Sequence, residues 1–413
     1  MDFLDLRFFC CSERRMLIRF KKNDGTEYPQ WEEKRLDEIV TFKKGKGLSW
    51  DSIVHHGKNK CILYGNLYTE YGAVINKVIF TTNEKISECI ISKKGDVLIP
   101  ASDTTPTGLA RASCIMLDDV ILGGDINILT PNNIDGIYLS YCINGNKKEL
   151  IKIIQGSTVR HLKNEDIACL KFRISKSKEE QQKIADFLST VDQKIESQKV
   201  IVADYEELKK GTMQKIFNQE IRFKDDDGNE FPEWETLTLK DVFKEVSNKN
   251  HPELPVLSVA QGIGTVLRDE SERRIMYDKS KLAGYKVVSK NDFIVHLRTF
   301  EGGLECSNHN GITSPAYRIL RTDLLIADAF KYYFRSKQFI EQKLAIAVTG
   351  IRDGKNIDMP SFYEIQINVP CIEEQKKIAD CLSALDRKIE TEKKILADLE
   401  ELKKGLLQAI FNN

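Results

Sequence analysis

The side chains in this chain that could do chemistry are arranged to grip or read a ligand rather than to react with one. Residues 43–47 read Lys-Lys-Gly-Lys-Gly, which places Lys43, Lys44 and Lys46 on a glycine-loosened loop suited to phosphates. Polar loops at 102–105 and 157–161 add Thr104, Thr105, Arg160 and His161. Further along, 296–299 (His-Leu-Arg-Thr), 308–310 (Asn-His-Asn) and 352–356 (Arg-Asp-Gly-Lys-Asn) add Arg298, Thr299, Asn308, Arg352, Lys355 and Asn356. Arginine and asparagine can read guanine and adenine edges through paired hydrogen bonds. Taken singly, each loop is also an ordinary solvated turn. The loops after Gly156 and Gly350 stand out because they fall at the same place in two repeated units.

Signatures of group transfer are absent from the sequence. It has no GxxxxGK[ST] phosphate loop, no GxGxxG, no HExxH, no GxSxG, and no Asn-Pro-Pro-aromatic segment of the kind that holds a base for methylation. The six histidines have no metal spacing, and the ten cysteines include no CxxC, so zinc is not expected. Scattered cysteines in a chain this long read as reduced, packed thiols of an intracellular protein. No apolar run reaches the ~18 residues of a membrane span, and the charged N-terminus lacks a signal-peptide core, so the expected location is the cytoplasm. Lys plus Arg equals Asp plus Glu at 62 each. Any nucleic-acid contact must therefore use local patches or lean on a partner.

What must position these loops is a duplicated unit. The stretch 179–218 and the stretch 373–412 align without a gap and are identical at about two thirds of positions. A second pair, RFKKNDGTEYPQWE from Arg19 and RFKDDDGNEFPEWE from Arg222, opens each unit. Repeats of this kind set architecture before local propensity does. The 179–218 copy carries apolar residues at Ile184, Leu188, Val191, Ile195, Val202, Tyr205 and Leu208. The 373–412 copy carries them at Ile378, Leu382, Leu385, Ile389, Leu396, Leu399 and Leu402. Steps of three and four are the coiled-coil pattern, interrupted once by Gln198 or Glu392. Each helix should run ~45–60 Å at 1.5 Å per residue. The stripes can pack on each other, parallel or antiparallel, or each on its own domain. The charged faces default to solvent, and the repeated Gly211 and Gly405 suggest a kink, a close approach or a C-cap.

The globular parts read as α+β domains: a buried Trp31 or Trp234 with an entry helix, short strands, and a closing amphipathic helix at 138–154 or 327–348. Strands are expected at 60–64, 73–81, 96–100 and 112–117, then at 256–259, 286–288, 292–297 and 316–320. The opening motifs lie 203 residues apart (Arg19 to Arg222) and the closing ones 194 (Glu179 to Glu373), so the second unit is nine residues shorter in its middle. Matching ends with differing middles suit one frame carrying two recognition surfaces. The expected boundaries are a tail at 1–18, a domain at 19–173, a helical region at 174–221, a domain at 222–370 and a helical region at 371–413.

The paired EEQQKIADFLSTVDQKI and EEQKKIADCLSALDRKI motifs, each followed by EELKKG and IFN, resemble the helical regions of type I restriction–modification specificity subunits. The PxWE openings at 29–32 and 232–235 are similar to the start of that family's target recognition domains. The resemblance covers the chain from Arg19 onward and leaves 1–15 unmatched. It implies two target recognition domains joined by two long helices in an antiparallel intramolecular coiled coil with pseudo-two-fold symmetry. Each domain would read half of a bipartite, asymmetric double-stranded DNA site, and the helices would fix the spacer. Two modification subunits would supply S-adenosylmethionine-dependent adenine methylation, and two restriction subunits ATP- and Mg-dependent translocation and cleavage. This chain itself would hold no cofactor and perform no catalysis. A rod of ~50 Å matches ~14 bp of duplex. Two other readings are a coiled-coil adaptor whose end domains bind proteins, which predicts no salt-sensitive DNA binding, and a self-sufficient methyltransferase or nuclease, which predicts activity of this chain alone.

Overall fold

The computed structural model describes residues 7–10, 16–268, 279–295, 303–349 and 356–411. Contacts divide the chain into two compact units, Met1–Val200 with Lys394–Asn413, and Ile201–Lys393. Two 40-residue helices dominate, Lys178–Phe217 and Ile372–Phe411, and each contributes one half to either unit.

In the first unit a five-stranded sheet runs in the order Val40–Lys44, Ile126–Pro131, Val97–Pro100, Ser113–Ile115, Val74–Ile75. All its pairings are antiparallel except the last. A smaller sheet of Ile121–Leu122, Asn59–Ile62, Thr81–Thr82 and Ile53–Val54 stands beside it. The core joins Val97, Ile99, Leu129 and Tyr138 to Ile184 and Leu188 from the first long helix, and to Leu406, Ile410 and Phe411 from the second. The helix halves are antiparallel here. Trp31 donates to Glu180 near one helix's start and packs on Phe411 at the other's end, and Asp192 pairs with Lys403 at 2.5 Å.

The second unit repeats the plan. Its four-stranded antiparallel sheet runs Lys244–Val246, Arg318–Arg321, Phe293–Val295, Leu304–Cys306, matching the first four strands of the larger sheet in order. Its core joins Phe293, Leu304, Leu320 and Phe330 to Ile216, Phe217, Ile378 and Leu382. The helix halves are again antiparallel, with Asp386 paired to Lys209 and Glu206 to Lys393. Residues 192 and 403 correspond to 386 and 209 in the repeat, so both units use one register.

Three expectations fail. The closing helix of the first unit breaks into Gly136–Gly145 and Lys147–Lys152. That of the second becomes a chain of single turns from Ala327–Phe330 to Leu344–Ala347, because Phe330, Tyr333, Phe334 and Phe339 each turn into one aromatic cluster, and Ser336 ties Tyr333 to Phe339. Residues 73–81 are not one strand but two short ones in different sheets. Most of the predicted seam is buried (Ile184, Leu188, Val191, Ile195, Val202, Ile378, Leu382 and Ile389), and Leu385 and Leu396 are half-buried. Leu208 and Leu402, however, are 52% and 48% exposed. A straight helix drifts off a 3.5-residue stripe, and at this level the ion-paired Lys209 and Lys403 turn inward instead.

Gly211 and Gly405 cap no helix and mark no close approach. Each helix continues six residues past its glycine, and a Cβ at either position would meet nothing within 4 Å. Replacing each with alanine should therefore stabilise by about 0.5–1 kcal/mol, read as a raised denaturation midpoint with an unchanged denaturant slope.

Candidate nucleic-acid interface

The loops singled out in the first unit converge. Ser102–Asp103 pairs antiparallel with Arg160–His161, so Thr104 and Thr105 stand beside Arg160 and His161 although more than fifty residues separate them in the chain. Ser102 Oγ lies 3.0 Å from His161 Nδ1. Asp103 accepts from the hydroxyls of Thr104 and Thr105, and Thr105 caps the short helix Pro106–Leu109 by accepting from the Gly108 N–H. Arg160 donates to the Gly156 carbonyl at 3.2 Å, across a loop whose glycine holds φ of +102°. The lysine loop joins from the sheet edge. Asn164 donates to the Lys43 carbonyl, and Lys44 pairs with Asp125, whose own carbonyl accepts from the Ala101 N–H. Lys43, Lys44, Lys46, Thr104, Thr105 and His161 are exposed. The result is one surface carrying cations, hydroxyls and an imidazole, suited to phosphates and base edges.

In the second unit, Arg298, Thr299, Arg352 and Lys355 lie outside the described residues. Asn356 sits on the short strand Asn356–Ile357, paired with Val348–Thr349. Asn308 is exposed, and its amide nitrogen donates to the carbonyls of Ile263 and Thr265, bracing the hairpin Leu257–Ala260/Gly264–Leu267.

The most constrained polar residues are ones the sequence reading left on solvated helix faces. Glu180 and Glu374, near the starts of the long helices, are fully buried. Glu374 receives the Trp234 indole N–H at 2.9 Å and the Arg222 guanidinium at 2.9 and 3.0 Å. Glu180 receives the Trp31 indole N–H at 2.9 Å and the Ser175 hydroxyl at 2.5 Å, and pairs with Arg19 at 3.5 Å. Burial pushes the Glu180 carboxyl above its ordinary range, and Ser175, Arg19 and Trp31 pull it back. Next door, Gln181 and Gln375 bind loop backbone at Asp135, Ser175, Leu324, Ile326 and Pro370. These contacts fix each domain's opening motif to a long helix, and so fix where the loops project. The signal was present in the sequence: the Arg and Trp recur at one spacing in both opening motifs (19 and 31, 222 and 234), and the Glu recurs at the same place near the start of both long helices.

Among the described residues there is no cluster of His, Cys, Asp and Glu able to hold a metal, and no helix long and apolar enough to cross a membrane. The thiols of Cys61, Cys114 and Cys142 are pushed up by burial to about 11, 12 and 12, so they are packed rather than reactive.

The model of the type I restriction modification DNA specificity domain family matches residues 28–203 and again 232–401. The chain is 24% identical over 420 residues to the type I restriction enzyme MjaVIII specificity subunit of Methanocaldococcus jannaschii, covering 95% of each. It is 26% identical to the putative MjaX specificity subunit of the same organism, over 70% of this chain and 71% of that one. Its fold is similar to the crystal structure of the type I restriction–modification S subunit from M. genitalium, with TM-score 0.55, 16% identity, and coverage of 93% and 96%. It is also similar to a chain from a structure of type I R-M system complex assembly and conformational transition, with TM-score 0.57, 14% identity, and coverage of 92% and 97%.

Proposed function

Because the chain belongs to the type I restriction modification DNA specificity family and is a specificity subunit, we propose that its two globular parts each read one half of a bipartite, asymmetric double-stranded DNA site. The observation that carries this reading is the strand pairing of Ser102–Asp103 with Arg160–His161, which gathers separate polar loops onto one exposed surface. Specificity needs such convergence, because a base step is read by a few side chains held in fixed relation. The paired helices keep the spacer between half-sites. Two modification subunits dock with this chain and methylate adenine using S-adenosylmethionine, and two restriction subunits add ATP- and Mg-dependent translocation and cleavage. The chain supplies specificity and no chemistry, and works in the cytoplasm, where its DNA and partners are. Its zero formal charge accords with partners that neutralise much of the phosphate backbone.

The test uses the chain assembled with its modification subunits. Sequencing of methylated adenines in host DNA should return one bipartite motif, and a duplex carrying it should bind with an affinity that falls steeply with salt. Arg160→Ala should weaken that duplex roughly fivefold or more with the complex still assembled; a flatter salt slope would place Arg160 on a phosphate, and relaxed discrimination at one base pair would place it on a base. Salt-insensitive binding with no methylated motif would overturn the reading in favour of a protein adaptor, and methylation or cleavage by this chain alone would make it an enzyme.

A further inference from the structure

The hairpin Leu257–Ala260/Gly264–Leu267 in the second unit is braced more strongly than its turn requires. The turn closes on its own hydrogen bond, from the Ile263 N–H to the Ala260 carbonyl at 3.1 Å, with Gly262 at φ +74° in the position a type II turn reserves for glycine. Its three residues Gln261, Gly262 and Ile263 are all exposed, Ile263 at 59%, so the tip itself buries little.

Beneath it stands a buried ion pair. Glu305 is fully buried and its carboxylate meets the Arg335 guanidinium at 2.6 Å. The pair clamps both ends of one peptide residue. Glu305 accepts from the Gly262 N–H at 2.8 Å, and Arg335 donates to the Gly262 carbonyl at 2.9 Å. Asn308 holds the far side by donating to the Ile263 carbonyl at 2.8 Å, and the backbone N–H of Asn308 binds the Thr265 hydroxyl at 3.0 Å. Just past the turn, Gly264 lies so close to the Cys306 carbonyl that a Cβ would sit 2.2 Å from it. Burial alone pushes the Glu305 carboxyl above its ordinary range, which records the cost of placing a charge there.

A buried charge is an expensive way to stiffen an exposed three-residue turn, and the bracing leaves the exposed atoms of the tip pre-organised, as a binding contact needs. The exposed atoms are those of a glutamine and a branched aliphatic side chain. A glutamine amide pairs bidentately with the adenine edge, and an aliphatic group packs against the thymine methyl. From this geometry we infer that the Gln261–Ile263 tip reads an A·T pair in the half-site served by the second unit. This rests on the DNA-reading function proposed above. Asn308, Glu305 and Arg335 are positioning residues that touch the tip and not the base.

The test compares the assembled methyltransferase complex carrying the native chain with complexes carrying Gln261→Ala and Ile263→Ala, both substitutions at exposed positions. Methylated motifs are read from host DNA, and affinity is measured on duplexes varied one base pair at a time. The native complex must first give a bipartite motif; if it gives none, the DNA-reading function falls and not merely this inference. With that motif in hand, Gln261→Ala is expected to lose discrimination at one A·T pair of one half-site by roughly tenfold or more, leaving the other half-site untouched. Ile263→Ala should lower the preference for thymine over unmethylated pyrimidine at the same pair. Unchanged motifs and affinities within about twofold for both variants would overturn the inference, as would an equal loss on every duplex, which marks a structural role.

Discussion

Leu382→Asp is expected to destroy the cooperative fold of the second unit. Leu382 is fully buried, in a core it shares with Phe217, Trp234, Phe330 and Phe362. Aspartate there removes the packed methyl groups, at about 2–5 kcal/mol. It also places a carboxylate in an apolar site, which must stay protonated or draw in water at a further cost of several kcal/mol. Against a typical total stability of about 5–15 kcal/mol, this leaves little or nothing. Thermal unfolding followed by circular dichroism should show the second unit's transition lost or lowered by well over ten degrees, with assembly onto modification subunits lost alongside it. Leu385→Asp is the internal control: three residues along the same helix and only half-buried, it should be milder. If Leu382→Asp unfolds within about 1 kcal/mol of the native chain, the packing of this helix into the second unit's core is wrong.

The contrast between those two leucines shows what the sequence could disclose. The repeat and its three-four spacing located both long helices and most of their buried positions, because a buried stripe must recur with the helix turn. The same spacing placed Leu208 and Leu402 in the seam. It could not register that Lys209 and Lys403 have half-buried carboxylate partners in Asp386 and Asp192, supplied by the other helix's half in each unit. Short strands such as Lys286–Val288 were legible because β-branched residues sit between turn signals. The closing helix at 327–348 was not, since its phenylalanines satisfy a helical period while serving a cluster that the backbone reaches only by breaking. In the candidate interface, the types of the loop residues were legible and their convergence was not. Strand pairing of 102–103 with 160–161 is a long-range event with no local signal. Asn308 shows the same gap from the other side: the residue type was legible, but not that its amide nitrogen braces the carbonyls of Ile263 and Thr265 across the chain.

The second large effect belongs to Glu374→Ala. Charged residues at the start of a helix normally gain modestly from the helix dipole and from solvent, and the helical repeat alone puts Glu374 among the solvated charges. Its burial reverses the arithmetic. Deleting the carboxylate leaves the Trp234 indole N–H without its acceptor and the Arg222 guanidinium, already mostly shielded, facing a void. Removing one partner of a buried pair costs about 3–5 kcal/mol, because the other charge is left behind uncompensated. Glu374→Gln should cost less, since an amide oxygen still accepts from one donor. Arg222→Met combined with Glu374→Gln should recover part of the loss, as the stranded cation is then gone. The order expected in chemical denaturation is native, then Glu374→Gln, then Glu374→Ala, with the double variant above Glu374→Ala; a native-like Glu374→Ala would show that the buried pair holds nothing. Glu180→Ala, at the same place in the first copy, should lose less than Glu374→Ala. Its arginine contact is longer, at 3.5 Å against a bidentate grip at 2.9 and 3.0 Å, and the Ser175 hydroxyl it strands can turn to another acceptor. One motif, repeated, would thus anchor the two units with unequal strength, and the inequality follows from how closely each arginine meets its carboxylate.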